Sequence, residues 1–509
     1  LHPRKLVRDS IGFAASQFAV RAAMIARTVL AARWLGPHAF GAWNALQLIM
    51  DYGQLAQLGT QQGLDQMVPR RIVDGDAERL SRLKRAGFTS ITALSLMFCA
   101  GGVLYFARST GSLVQTWGVL GMSLAMGIVL LINWSSYHTS LLRSHGNIGA
   151  VSRWFFLQGM IGALVGLALI RWIGVWGLLW GWTAGTLAAF LWTRWEGRAF
   201  VPMRPLVSSD SVALFRIGFP MFFFVGTSII NRSLDRLIIL RYLGTRELGF
   251  YSLAVTAVTL LMYLPDSATY VFYPRLLQRF RAAGDRPEEI QAPVIGVLRL
   301  LGVLTPALGG LACLAARDLI QVAVPNFLLG ATPVRIMCFT ATAMCIANLA
   351  SIVMMTLGRQ FWLMPVAVVS TLAFAIADIT VLRSGLGING VAWATLATYA
   401  VSAFTLLGMA LSSLRLGFGR AVREIGFAAW GLGAAMVLSF AAEKLAPGGN
   451  SMEVGRRVLH LLLGWATFLA AYGLAVTPQL RGLGFRQLVS EFNLPFASWL
   501  KRDSDRPAS

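Results

Sequence analysis

Apolar runs of about twenty residues, the length a helix needs to cross a bilayer, recur from one end of the chain to the other. The pattern predicts about fourteen transmembrane helices. Six run from Ile11 to Ala32, Phe40 to Met67, Ala86 to Phe106, Leu113 to Tyr137, Ala150 to Ile170 and Gly174 to Trp195. Six more begin at Leu214, Leu248, Ala292, Thr332, Phe361 and Gly387, and two follow from Ile425 to Ala442 and from Val458 to Val476. The polar positions within these runs are as informative as the apolar ones. In the second run Asn44, Gln47, Asp51, Gln54, Gln61 and Asp65 recur at steps of three, four or seven, which places all six on one face of a continuous helix. A membrane helix with an amide and carboxylate face implies a wet lumen on that side, the wall of a solute pathway.

Two arginines, Arg21 and Arg27, lie inside the first run. Each costs roughly 2.5–3.5 kcal/mol near mid-bilayer, so each is expected to face a partner, a water-filled cavity or an interface rather than lipid. Arg232, Arg236, Arg299 and Arg335 pose the same question in the second half, with snorkelling to the membrane surface as the alternative for Arg236, Arg299 and Arg335. Arg232 and Asp235, spaced i, i+3, also suit mutual neutralisation.

Composition narrows the class. With 56% hydrophobic and 13% charged residues and a mean hydropathy of +0.64, the chain reads as an all-α polytopic membrane protein. The net charge of +22 would suggest nucleic acid in a soluble protein, but here the Lys and Arg residues sit between apolar runs and act as topology signals, so no nucleic-acid partner is expected. The basic connections, Arg70 to Arg85 and Arg275 to Arg286, are expected on the cytoplasmic side, and both termini with them. Cys99, Cys313, Cys338 and Cys345 lie in apolar runs without metal-ligand or redox spacing, so buried thiols are expected, and no metal site. The first run leads into the second without an A-x-A-like cleavage site, so it is expected to stay in the mature protein.

An internal repeat organises the chain. The stretch Arg33 to Trp43, with Leu35-Gly36-Pro37 and Phe40-Gly41 at its core, recurs as Arg241 to Tyr251, with Leu243-Gly244-Thr245 and Leu248-Gly249. Gly174, Gly177 and Trp180 recur as Gly387, Gly390 and Trp393. Six spans separate the members of each pair, so the halves enter the membrane in the same direction and two pseudo-symmetric six-helix lobes flank a central cavity. The expected division is an N-lobe over 1–200, a C-lobe over 201–415, a helix pair over 416–480 and a cytoplasmic tail over 481–509. Applying the register of the turns backwards superposes Arg27 on Asp235, which suggests a gate pair of opposite charge. The alternative pairs Arg27 with Asp51 and Asp235 with Arg232.

Ala32 to Leu46, Asp235 to Tyr251 and Leu382 to Thr395, the last with Gly387-Ile388-Asn389-Gly390, resemble the motifs of Wzx-type polysaccharide flippases, a branch of the multidrug/oligosaccharidyl-lipid/polysaccharide exporter superfamily. The resemblance implies export of an undecaprenyl-pyrophosphate-linked oligosaccharide across the bacterial inner membrane by alternating access, with a proton or sodium gradient rather than a cofactor as the coupling agent. It further implies membrane lipids as partners, and glycosyltransferases and a glycan polymerase of the same pathway as neighbours. Guanidinium groups suit a pyrophosphate because their planar fork binds it in bidentate fashion. On this view Arg21, Arg27, Asn44, Gln47, Asp51, Gln54, Arg232, Arg236 and Arg299 line the substrate cavity, and Arg27, Asp51 and Asp235 carry gating and ion coupling. Rival readings are a multidrug or cation antiporter and a peptidoglycan-precursor flippase of the same superfamily. A membrane glycan polymerase or ligase fits less well, since acid–base catalysis needs a sizeable periplasmic loop, and a transporter is not expected to be an enzyme.

Overall fold

The computed structural model describes residues 3–109, 112–196, 209–445 and 454–478. The expected tail over 481–509 lies outside the described residues. All regular structure among them is helical, and nine helices are long and apolar enough to cross a membrane. The expected first, second, sixth, eighth and fourteenth spans are not in that set; the first and the start of the second share one long kinked helix, α1 (Pro3–Gly53), whose arginines and amides dilute its apolarity.

The helices fall into two compact units, one of residues 1–252 with 321–329 and one of residues 253–320 with 330–509. The first holds α1, α2 (Thr60–Asp74), α3 (Ala77–Arg108), α4 (Ser112–Ser144), α5 (Ile148–Ile173), α6 (Val175–Glu196), α7 (Ser209–Asn231), α8 (Leu234–Tyr242) and the start of α9 (Thr245–Ala282). The second holds the rest of α9 with α10 (Gln291–Ala323), α11 (Ala331–Thr356), α12 (Leu363–Arg383), α13 (Gly387–Ser413), α14 (Phe418–Leu445) and α15 (Val454–Ala475).

In the first unit small residues set the packing. Gly177, Gly181 and Gly185 of α6 lie on the backbone of α5, so that a side-chain carbon added at Gly181 would meet Gly166 and one at Gly185 would meet Gly162. Without a hydrophobic drive between helices in lipid, such close approach is what holds a pair together. The helices α2 and α7 meet in the same way, with Gly59 against Gly218 and Gly63 against Leu214.

Two expected spans are broken. The second, expected as one helix from Phe40 to Met67, ends at Gly53, passes through a 3-10 turn at Gln54–Gln57 and resumes at Thr60, with Leu58 and Gly59 both at positive φ (46° and 92°). The seventh is interrupted between Asn231 and Leu234. Non-helical backbone survives at membrane depth only where its polar groups find partners inside the protein. At the first break the partner is Asn133 of α4, which is fully buried. Its amide nitrogen donates to the Gly53 carbonyl (3.2 Å) and the Ser95 hydroxyl (2.8 Å), and its oxygen accepts from Gln57 (2.8 Å).

Candidate functional site

The two breaks are joined. The Tyr52 hydroxyl lies 2.9 Å from that of Ser233. Ser233 already donates to the Ile229 carbonyl at 2.8 Å, which makes Tyr52 the donor. Directly after the second break Asp235, 6% exposed, stands in the first turn of α8, where the helix dipole favours a negative charge. Its carboxylate accepts from the Tyr251 hydroxyl and from the Arg236 backbone N–H, each at 2.7 Å. The charge of Arg236 acts on both Asp51 and Asp235. Asp51, Tyr52, Ser233, Asp235, Arg236 and Tyr251 thus form one polar group built on two helix interruptions.

The stripe of the second expected span is divided by the break. Asn44, Gln47 and Asp51 are half-buried on α1 while Ala45, Leu46, Leu48 and Met50 between them are buried, so the stripe is the accessible side of that segment. Asn44 also bonds its own helix at the Phe40 carbonyl (2.8 Å). Gln54 is exposed in the 3-10 turn. Beyond the break Asp65 turns to α4, taking the Ser140 hydroxyl (2.5 Å) and Arg143 (3.0 Å to both oxygens). The single face expected for all six residues needs an unbroken helix, and the left-handed residues at 58 and 59 remove that condition.

Arg27 is 5% exposed, and its guanidinium carbon lies 5.8 Å from the ring centre of Trp43 and 5.1 Å from that of Trp182. One of its terminal nitrogens is buried without a hydrogen-bond partner. Arg27 bonds neither Asp235 nor Asp51, and Asp235 does not bond Arg232. Both pairings considered from the sequence are therefore unformed in this structure. Arg21 is half-buried, and Arg232 is exposed. Because no carboxylate depends on Arg27, replacing it by Met leaves no orphaned charge. On the expectation that Arg27 lines a substrate cavity, Arg27→Met should leave the melting temperature within a few degrees of the parent while lowering export about tenfold, the worth of one charge-assisted contact. Unchanged export in whole cells would remove Arg27 from the substrate path.

Arg299 engages a partner that sequence spacing does not show. It makes a two-pronged bond to Glu424 of α14, at 2.8 Å and 2.5 Å, with Glu424 only 1% exposed at its side chain. The guanidinium also lies 5.6 Å from the Phe427 ring centre. Asp378, fully buried on α12, was likewise missed, although an acid within the run from Phe361 to Leu382 is a readable signal. It shares a face with Ser370, bonded to Ser402 of α13 at 2.8 Å, and Phe374, edge-on to Tyr399.

The two copies of the repeated turn meet inside the first unit. Gly36 and Gly244, equivalent in the repeat, both take positive φ (72° and 87°), and a helical segment starts after each. A carbon added to Gly41 would collide with the Thr245 carbonyl, and one added to Gly249 would collide with that of Pro37. Pro37 and Thr245 are themselves equivalent, so each copy buries its glycine on the opening residue of the other. Phe327 packs edge-on against Phe40 and Phe250 beside this contact, with ring centres 5.7 Å and 5.9 Å apart.

A bundle of apolar helices long enough to cross a bilayer, with glycine-mediated crossings between them, defines a multi-pass membrane protein. Residues 29–333, more than half of the chain, match the family described as polysaccharide biosynthesis protein, and the chain belongs to that family. Its fold is similar to those of solved membrane proteins, transporters of the MOP superfamily among them. A lipid II flippase MurJ in an inward closed conformation aligns with a TM-score of 0.67 over 92% of this chain and all of its own, at 12% identity. An inward-facing multidrug resistance MATE transporter aligns with a TM-score of 0.60 at 14% identity, over 76% of this chain and 94% of its own. A MOP superfamily transporter from Pyrococcus furiosus, whose binding pocket is described as of reverse polarity, aligns at 0.55 and 14% identity, over 81% and 96%. No curated protein matches the sequence.

Proposed function

We propose that this protein flips polyprenyl-pyrophosphate-linked oligosaccharide repeat units, undecaprenyl being the carrier, from the cytoplasmic to the periplasmic leaflet of a bacterial inner membrane. The observation that carries the reading is the buried, unpaired guanidinium of Arg27 on the same helix as the half-open polar side of Asn44, Gln47 and Asp51, in a chain of the polysaccharide biosynthesis family. A guanidinium suits the pyrophosphate, and amides suit the sugar hydroxyls. A pair of six-helix lobes with an appended helix pair and cytoplasmic termini remains the working topology. In this scheme the paired glycine turns shut one end of the pathway. The buried acids Asp235 and Asp378, with Asp51, take up the coupling proton or sodium ion, since ionisable groups at membrane depth are kept for transport rather than stability. The glycan reaches the protein from glycosyltransferases and leaves to a polymerase of the same pathway. A deletion strain is the test. Loss of surface polysaccharide together with lipid-linked repeat units held on the cytoplasmic leaflet is expected, and sensitivity to cationic drugs with intact polysaccharide would overturn the reading.

A further inference from the structure

The second unit carries a cavity of about 500 Å³ between α10, α11, α14 and α15. Most of its wall is apolar, and into that wall are set Arg317, Arg335 and His460, with Asp318 as the acid among them. The wall is firmly built. The Trp465 indole N–H donates to the Leu311 carbonyl (3.1 Å), the Tyr472 hydroxyl donates to that of Val303 (3.0 Å), and the Phe468 ring fills the place of a side chain at Gly310. Arg335 is held over the Phe440 ring at 5.0 Å, which positions it on the cavity wall.

The helices α10, α11 and α14 are among those apolar enough to cross a membrane, so this cavity opens among lipids rather than to a solvent-borne metabolite. Its volume is within the roughly 300–1,000 Å³ of small-ligand sites. Two guanidinium groups against one carboxylate favour an anion, and the apolar remainder favours a hydrocarbon chain. We propose that the cavity binds one anionic phospholipid of the surrounding membrane, its phosphate on Arg317 and Arg335 and an acyl chain along α14 and α15. Such a lipid fastens the last two helices to α10. The proposal does not rest on the flippase reading, since it concerns residues with no assigned part in the substrate path.

The test uses the full chain in phosphatidylcholine nanodiscs doped with phosphatidylglycerol as a minor component, with retained lipid read by native mass spectrometry. The parent protein should keep one phosphatidylglycerol in preference to phosphatidylcholine. Arg335→Gln should weaken retention about tenfold, the worth of one charge-assisted contact. Gly464→Phe fills the cavity from α15, where an added carbon meets no atom within 4 Å, and should abolish retention at an unchanged melting temperature. Equal retention of both lipids by the parent, or retention unaffected by Gly464→Phe, would overturn the proposal. So would preference for a polyprenyl phosphate when both anions are offered, which would hand the cavity to the transported lipid.

Discussion

Gly41→Leu is expected to abolish export while the protein still reaches the membrane. A carbon at this position collides with the Thr245 carbonyl and comes within 2.8 Å of the Gly249 nitrogen, so the obstacle is backbone on the other copy of the turn and cannot be relieved by a rotamer change. Overpacking of this kind costs roughly 1–3 kcal/mol when the surroundings yield. Here the simplest way to yield is to separate the two turns, which on the proposed mechanism holds open the end that they close. Gly249→Leu should behave alike, because its side chain would meet the Pro37 carbonyl at the equivalent place. Gly101→Ala is the control, since its added carbon meets nothing within 4 Å. The check is export in whole cells alongside labelling of a cysteine at Phe40 by a water-soluble thiol reagent. Phe40 is 2% exposed, and labelling should rise in both leucine variants. Full export by Gly41→Leu would show that the contact is never required to form during transport.

Glu424→Ala is expected to be the most destabilising single change in the second unit. It leaves Arg299, whose side chain is 18% exposed, without the carboxylate that takes both of its prongs. Removing one member of a buried pair costs roughly 3–5 kcal/mol, because the remaining charge is left uncompensated. The measurement is thermal unfolding of the detergent-solubilised protein. Arg299→Ala is expected to cost less, because Arg423 stays 3.8 Å from the Glu424 carboxylate, and the variant lacking both groups less than the sum of the two. Additive losses would mean that the two groups act separately. The bond gives Arg299, expected to line the substrate cavity, a partner on α14.

What the sequence determined by itself is what depends on near neighbours and on totals. Apolar runs and sparse charge set an all-helical membrane class, since a buried backbone in lipid must satisfy its own hydrogen bonds. The repeated Leu-Gly turn was legible because one glycine at positive φ is a local requirement, met at both Gly36 and Gly244. Its register even identified Gly41 and Gly249 as equivalent, although not that they touch. The interruptions at 54–59 and 232–233 were not legible. A helix opens inside a membrane only if distant groups support the interrupted segment, and those groups are Asn133, which takes the Gly53 carbonyl at the first break, and Tyr52, which bonds the Ser233 side chain at the second, 80 and 181 residues away along the chain. The same holds for the charges. An arginine in an apolar run announces that some partner exists, while the identity of that partner, two tryptophans for Arg27 and Glu424 for Arg299, is decided by which helices the fold lays side by side. Periodicity reports the face of one helix, and only tertiary packing chooses what that face meets.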